Sequence, residues 1–176
     1  VDDNESRAIF EAQQAKWRDR VIPVGVGHAV DGGVYVLDGV LYDEIGDGSA
    51  VPIDLRGINS LLGAHNWQNA SAAVAVARVL GVSSQQAGAA LASFPGLPHR
   101  MELIANIDGI RFVNDSKATN ANATARALAT FESIHWIAGG VAKDGGITSL
   151  AGYFPHIAHA YLIGEAAIAF SGTLGE

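Results

Sequence analysis

Pro95-Gly96-Leu97-Pro98 is a stretch through which neither a helix nor a strand can run. Proline lacks the amide hydrogen both structures need, and glycine adds no side chain to hold either one. Divided there, a chain of 176 residues gives two pieces of domain size, residues 1–97 and 98–176. Apolar residues make up 49% of the chain and charged residues 16%, the composition of an ordered protein with a core to bury. Lys and Arg total 11 against 18 Asp and Glu, a net charge of -7, which argues against non-specific nucleic-acid binding. With no cysteine there is no disulfide framework and no thiolate ligand or nucleophile. No apolar run approaches the roughly 20 residues that span a bilayer, so no membrane partner is expected and a cytoplasmic location is. The start, Val1-Asp2-Asp3-Asn4-Glu5, has neither the basic region nor the apolar stretch of a secretion signal, and no initiator methionine. The end at Gly175-Glu176 follows directly on an alanine-rich helical pattern. A piece of a longer chain is expected.

Before the break, Asn4 can cap a helix that carries Glu5 in its first turn and runs to about Arg20, with Ile9, Phe10 and Trp17 on its buried side. A strand is expected over 21–26. Asp38-Gly39 suits a type I′ turn joining Val34–Leu37 to Val40–Tyr42. Another strand is expected over 51–55, then a helix from His65 to Leu80 stopped by Gly81, and a second helix capped by Ser83 or Ser84 and ending near Phe94. After the break, Asp108-Gly109 joins strands 101–107 and 110–114. A helix over 120–131, a buried strand over 134–138, a short helix near 149–154, a strand at 160–163 and a helix from Glu165 follow. Strands alternating with helices define an α/β class, with a mostly parallel, Rossmann-like sheet in the second piece and functional loops at the carboxyl ends of its strands.

Several constellations can carry chemistry. Asn66 and Asn69, three apart on one helix, offer the amide donors and acceptors that reading a purine edge requires; the same residues also suit a helix start. His65 has no metal-spaced partner and is expected to pack or cap. Arg100 follows two prolines and can take a phosphate or carboxylate in bidentate fashion, or pair with Glu102. Asp115-Ser116-Lys117-Ala118-Thr119 sits between a strand and a helix, where backbone amides, the Lys117 ammonium and the Thr119 hydroxyl favour an anion. The plain alternative is a turn in which Asp115 caps the helix and Lys117 is solvated. Gly139-Gly140-Val141-Ala142-Lys143 lacks the Gly-x4-Gly-Lys-Ser/Thr spacing of a phosphate loop, and Gly25-x-Gly27 lacks the third glycine of a dinucleotide fingerprint. Lys143 can still serve a carboxylate near Lys117 if both follow strands at one sheet edge.

Taken together, His65-Asn66-x-x-Asn69-Ala70, Gly96-Leu97-Pro98-His99-Arg100-x-Glu102 and Asn114-Asp115-Ser116-Lys117-Ala118-Thr119-Asn120 resemble the Mur ligases of peptidoglycan synthesis, most of all the D-glutamate-adding branch. The likeness includes Val1-Asp2-Asp3 and the loop from Gly139 to Lys143. It implies the end of a central ATP-binding domain over 1–97 and most of a C-terminal ligase domain over 98–176. It also implies a reaction. ATP phosphorylates the carboxylate of UDP-N-acetylmuramoyl-L-alanine, and the amine of D-glutamate attacks the acyl phosphate. By the same resemblance Asn66 and Asn69 lie on the adenine side. Arg100 and Asp115 are on the nucleotide where two domains meet, and Lys117, Thr119 and Lys143 hold the carboxylates of D-glutamate. Lys117, Arg100 and Asp115 are then the catalytic candidates.

A UDP-binding domain, a true phosphate loop, the acid and histidine that bind Mg2+, and a carbamoylated lysine are expected upstream of Val1; a serine-rich segment is expected beyond Glu176. The chain by itself is therefore expected to be inactive, and the whole enzyme to be a monomer acting on small molecules. Two rival readings remain on the residues: a folylpolyglutamate-synthase-like ligase, which the Asp-Ser-Lys-Ala-Thr-Asn block disfavours, and a non-enzymatic anion-binding domain.

Overall fold

In the computed structural model, which describes residues 2–17, 20–46 and 51–175, the chain divides into two units, Val1–Gly96 and Leu97–Glu176. Helix α1 spans Asn4–Trp17. Its cap is Asp3 rather than Asn4: the Asp3 carboxylate accepts from the Ser6 amide (2.8 Å) and the Ser6 hydroxyl (2.9 Å), and these bonds hold its pKa below the usual carboxylate range. No residue of α1 is buried, and Ile9 is 64% exposed, so the expected inward stripe does not form; Gln13 and Gln14 interrupt it. The expected continuation to Arg20 crosses Arg18 and Asp19, which lie outside the described residues, as does Val1.

A four-stranded sheet follows in sequence order: β1 (Val24–Val26), β2 (Val34–Leu37), β3 (Val40–Asp43) and β4 (Ile53–Asp54). β1 and β2 are parallel and the other neighbours antiparallel. Asp38 (φ 47°) and Gly39 (φ 78°) are both left-handed, as a type I′ turn demands, and they set Leu37 opposite Val40. β1 starts later than expected because Pro23 has no amide to donate; its carbonyl instead accepts from Val34 N at 3.1 Å. β4 is likewise shorter than the 51–55 expected.

Helix α2 (Ala64–Val79) lies against β1, β2 and β3 and buries Ala70, Ser71, Val74 and Ala75 beside Val34, Val36, Leu41 and Leu55. Small residues on its inner face let the helix approach the sheet closely. Gly81 (φ 87°) follows its end. Ser83 caps α3 (Ser84–Ser93), and Gln86 reaches back to complete a capping box.

One ionic cluster joins these layers. Asp43, 3% exposed, places its Oδ2 2.7 Å from Arg78 Nε on α2 and accepts a hydrogen bond from the Ser84 hydroxyl on α3. Its Oδ1 accepts from Ile45 N at 3.0 Å. Asp43→Ala should therefore lower the unfolding free energy by about 3 kcal/mol, the low end for a broken buried pair because Arg78 keeps some access to water. Denaturant titration of the variant checks this.

Beside it, the Tyr35 hydroxyl donates to Glu44 Oε1 at 2.7 Å. That bond, with burial, pushes the phenol up to about 12. A folded pKa above the free value of about 10 means the folded state keeps its proton longer. This contribution to stability is full below about pH 10 and disappears as pH rises through about 12. Tyr35→Phe should flatten the fall in melting temperature over that window.

In the second unit, β5 (Glu102–Ile107) and β6 (Ile110–Asn114) form an antiparallel hairpin, again around left-handed Asp108 (φ 52°) and Gly109 (φ 83°). Asn120 caps α4 (Ala121–Leu128) by accepting from Ala123 N at 2.9 Å; the helix stops short of the expected Phe131. β7 (Ile134–Gly139) then crosses, through a 3-10 helix over Thr148–His156, to the parallel strand β8 (Ile157–Ile163), and α5 (Ala167–Leu174) follows.

Leu128, Ile147, Leu150, Ala166 and Phe170 make the core, with Ile134, Trp136 and Leu162 packed on it. β7 is not buried on both faces as expected: Ile137 is 72% exposed, as the alternating burial of the strand requires. The paired glycines at the end of β7 have a steric cause. A Cβ on Gly139 (φ 148°) would stand 1.8 Å from the Ile163 carbonyl, and Gly140 N donates to that same oxygen at 3.0 Å. The architecture is mixed α/β, with one parallel pair in each unit beside antiparallel hairpins.

Candidate functional site

Immediately after Pro98 the backbone bends twice against its preference. His99 (φ 64°) and Met101 (φ 45°) both sit in the left-handed region, at a cost of about 1–3 kcal/mol each for residues with a Cβ. Hydrogen bonds on both sides offset that strain. His99 N donates to Glu102 Oε2 (2.8 Å), Met101 N donates to Asp115 Oδ1 (3.0 Å), and the His99 carbonyl accepts from Lys117 N (3.0 Å). Arg100, held between the two bent residues, donates its own amide to the Leu97 carbonyl at 3.2 Å and leaves its side chain exposed.

The loop after β6 is fastened to this turn and to itself. Asp115 is half-buried; its carbonyl accepts from Ala118 N at 2.8 Å, and Thr119 N donates to the Lys117 carbonyl at 3.0 Å. Asp115 does not cap the helix, since Asn120 does that, and its carboxylate is given to Met101. Lys117 and Thr119 are exposed. Among the described residues neither Arg100 nor Lys117 enters an ion pair; Glu102, the alternative partner of Arg100, is instead engaged by His99 and Asn114. The arrangement presents a guanidinium and an ammonium on two mutually bonded loops, which is suited to an anion.

The other candidates are carried by other elements. Lys143 is exposed in the turn after β7, its carbonyl accepting from Gly146 N at 2.9 Å. β6 belongs to the antiparallel hairpin and β7 to the parallel pair, so Lys117 and Lys143 do not follow strands of one sheet as expected. In the first unit Asn66 and Asn69 lie on the first turns of α2, whose cap is Gly63. Asn66 is half-buried and donates from Nδ2 to the Leu62 carbonyl at 2.8 Å; Asn69 is exposed. Two shallow recesses of the first unit, one beside Ile53 and Gly88 and one beside Phe10 and His28, contain none of the candidate residues. Among the described residues no three His, Cys, Asp or Glu side chains gather as a metal site, and no helix is long and apolar enough to cross a membrane.

Sequence reasoning did not see that Asn114, His99 and Glu102 would engage one another. The signal was available in the hairpin register, which places Glu102 directly opposite Asn114.

The second unit is an α/β unit that carries Arg100, Lys117 and Lys143 exposed on its loops. Residues 99–172 match the family model described as "Mur ligase, glutamate ligase domain", and this segment belongs to the Mur ligase family. The relationship extends along the chain. It is 51% identical over 174 residues, 99% of its length, to the UDP-N-acetylmuramoylalanine--D-glutamate ligase of Caulobacter vibrioides (strain NA1000 / CB15N). It is 48% identical over 174 residues, again 99% of the chain, to the protein of that name from Rhodospirillum rubrum, and 49% identical over 177 residues, 100% of the chain, to that from Rhizobium etli. The chain spans 37%, 36% and 37% of the lengths of these three relatives.

Asp115→Ala should cost about 1.5–3 kcal/mol, since the Met101 amide loses a charged acceptor in a residue that is 3% exposed. Chemical denaturation measures the loss, and faster hydrogen exchange at Met101 and Lys117 locates it.

Proposed function

We propose that the polypeptide carrying this chain is an ATP-dependent ligase that joins D-glutamate to UDP-N-acetylmuramoyl-L-alanine in peptidoglycan synthesis, a cytoplasmic monomer acting on small molecules. The observation that carries the reading is the identity of about half of all positions, along the chain, with relatives named for that reaction. The exposed cations support it. In this reading the carboxylate of the UDP-sugar attacks the γ-phosphorus of ATP and ADP leaves. The D-glutamate nitrogen then attacks the acyl carbon, phosphate departs, and the nitrogen loses its proton. The protein's contribution is positioning and the stabilisation of developing negative charge.

The first unit, residues 1–97 in this reading, supplies the end of the ATP-binding domain. The Asn66 and Asn69 amides suit the adenine edge, although the Asn66 donor is already shared with Leu62. Residues 98–176 supply the ligase domain. Arg100 suits a phosphate, Asp115 fixes the loop beside it, and Lys117, Thr119 and Lys143 suit the two carboxylates of D-glutamate. Mg2+ is implied by ATP, but the described residues bring together no His, Cys, Asp or Glu ligand set for it.

The complete polypeptide should release ADP only when ATP, the UDP-sugar and D-glutamate are all present, and L-glutamate should not substitute. Lys117→Ala should raise KM for D-glutamate at least about tenfold. This 176-residue chain alone should show no turnover, since its sequence lacks the Gly-x4-Gly-Lys-Ser/Thr spacing. Equal use of L-glutamate would point to the folylpolyglutamate-type reaction instead.

A further inference from the structure

Asn114 carries no assignment, yet it is bonded to both loops that display the cations. Its Nδ2 lies 2.9 Å from His99 Nδ1 and donates at 3.4 Å to Glu102 Oε2, the oxygen that also accepts from His99 N. Its Oδ1 accepts from Ser116 N at 3.1 Å. One planar amide thus holds the residue before Arg100 with its nitrogen and the residue before Lys117 with its oxygen. The two ends of a carboxamide cannot move independently, so their fixed separation is passed on to the loops. The register supports this role: Asn114 is the last residue of β6 and faces Glu102, the first residue of β5, so the amide sits on a paired strand end, beside the irregularity between Leu103 and Ala105, and not on a free loop.

We propose that Asn114 is a positioning residue that sets the spacing of the Arg100 and Lys117 side chains, and so the distance between the anionic groups the site accepts; this rests on the ligase reading given above. The role needs a donor and an acceptor on one rigid group, which a carboxylate cannot supply. Asn114→Asp keeps the acceptor for Ser116 N but has no donor for His99, and it sets a second negative charge against Glu102. Adding Glu102→Gln removes that charge contact without restoring the lost donor, because the atom of residue 102 that faces position 114 is the one that accepts from His99 N.

The experiment has two arms. In this chain, amide exchange followed by NMR should show Met101, Ser116 and Lys117 exchanging at least about fivefold faster in Asn114→Asp. Those amides should stay fast in the Asn114→Asp/Glu102→Gln double variant, while Leu128 and Leu150 in the core stay unchanged. In the complete enzyme, Asn114→Asp should raise KM for D-glutamate about fivefold or more with kcat within about twofold and the melting temperature within about 2 °C, and the double variant should keep most of that loss. A KM unmoved by Asn114→Asp, or a loss that the double variant recovers, overturns the proposal, as does unchanged exchange in the first arm. Absence of ligase turnover in the wild-type enzyme would overturn the ligase reading, and the exchange arm would still decide whether Asn114 couples the loops.

Discussion

The turn over His99-Arg100-Met101 exists only because acceptors and donors from neighbouring backbone and side chains meet it. Two residues with side chains are held at positive φ, and the backbone at each would relax to the extended or helical region if released. Asp115 on Met101 N and Glu102 on His99 N prevent this. Each carboxylate gives one oxygen to a backbone amide, and the residue between the bent positions, Arg100, leaves its side chain exposed.

The first unit solves a related problem with a buried charge. Asp43 at the end of β3 meets Arg78 from α2 and Ser84 from α3, two consecutive helices distant in sequence from the strand. A buried carboxylate without these partners would be costly, so the two helices are held in the one arrangement that satisfies it. The start of α2, where Asn66 and Asn69 stand, inherits its position from this anchoring and from the close approach that Ala70, Ser71 and Ala75 allow.

Where local chemistry decides structure, the sequence was legible. Both Asp-Gly turns, the cap at Ser83 (one of the two serines offered) and the Asn120 start of α4 depend on neighbours within four residues. What could not be read depends on distant partners or on fine geometry. Asn4 and Asp3 are equally good caps until Ser6 is seen to bond to Asp3. The burial of β7 depends on what lies over its outer face. The sheet to which Lys117 and Lys143 belong depends on pairings across the whole second unit. Residue types marked the candidate loops correctly as polar and charged, yet could not say which charges face inward. The pair of Asp43 and Arg78 escaped notice for the same reason: an aspartate at a strand end and an arginine in a helix are ordinary until the fold brings them together.

In the ligase reading proposed above, the same separation of roles lets a chain of net charge -7 receive an anion. Its overall field opposes an approaching phosphate or carboxylate at long range, but that field is screened beyond about 8–10 Å at physiological ionic strength. At short range what counts is which groups point outward. The acceptor capacity of Glu102 and Asp115 is directed at backbone and side-chain donors, at 2.8 and 3.0 Å for the two amides, while Arg100 and Lys117 extend from loops that those bonds keep in place. An anion arriving there meets donors whose loops are already ordered, so less conformational entropy is lost on binding than a flexible pair of cations would lose. In that reading the acidic side chains of the motif favour anion binding indirectly, by ordering the loops that carry Arg100 and Lys117.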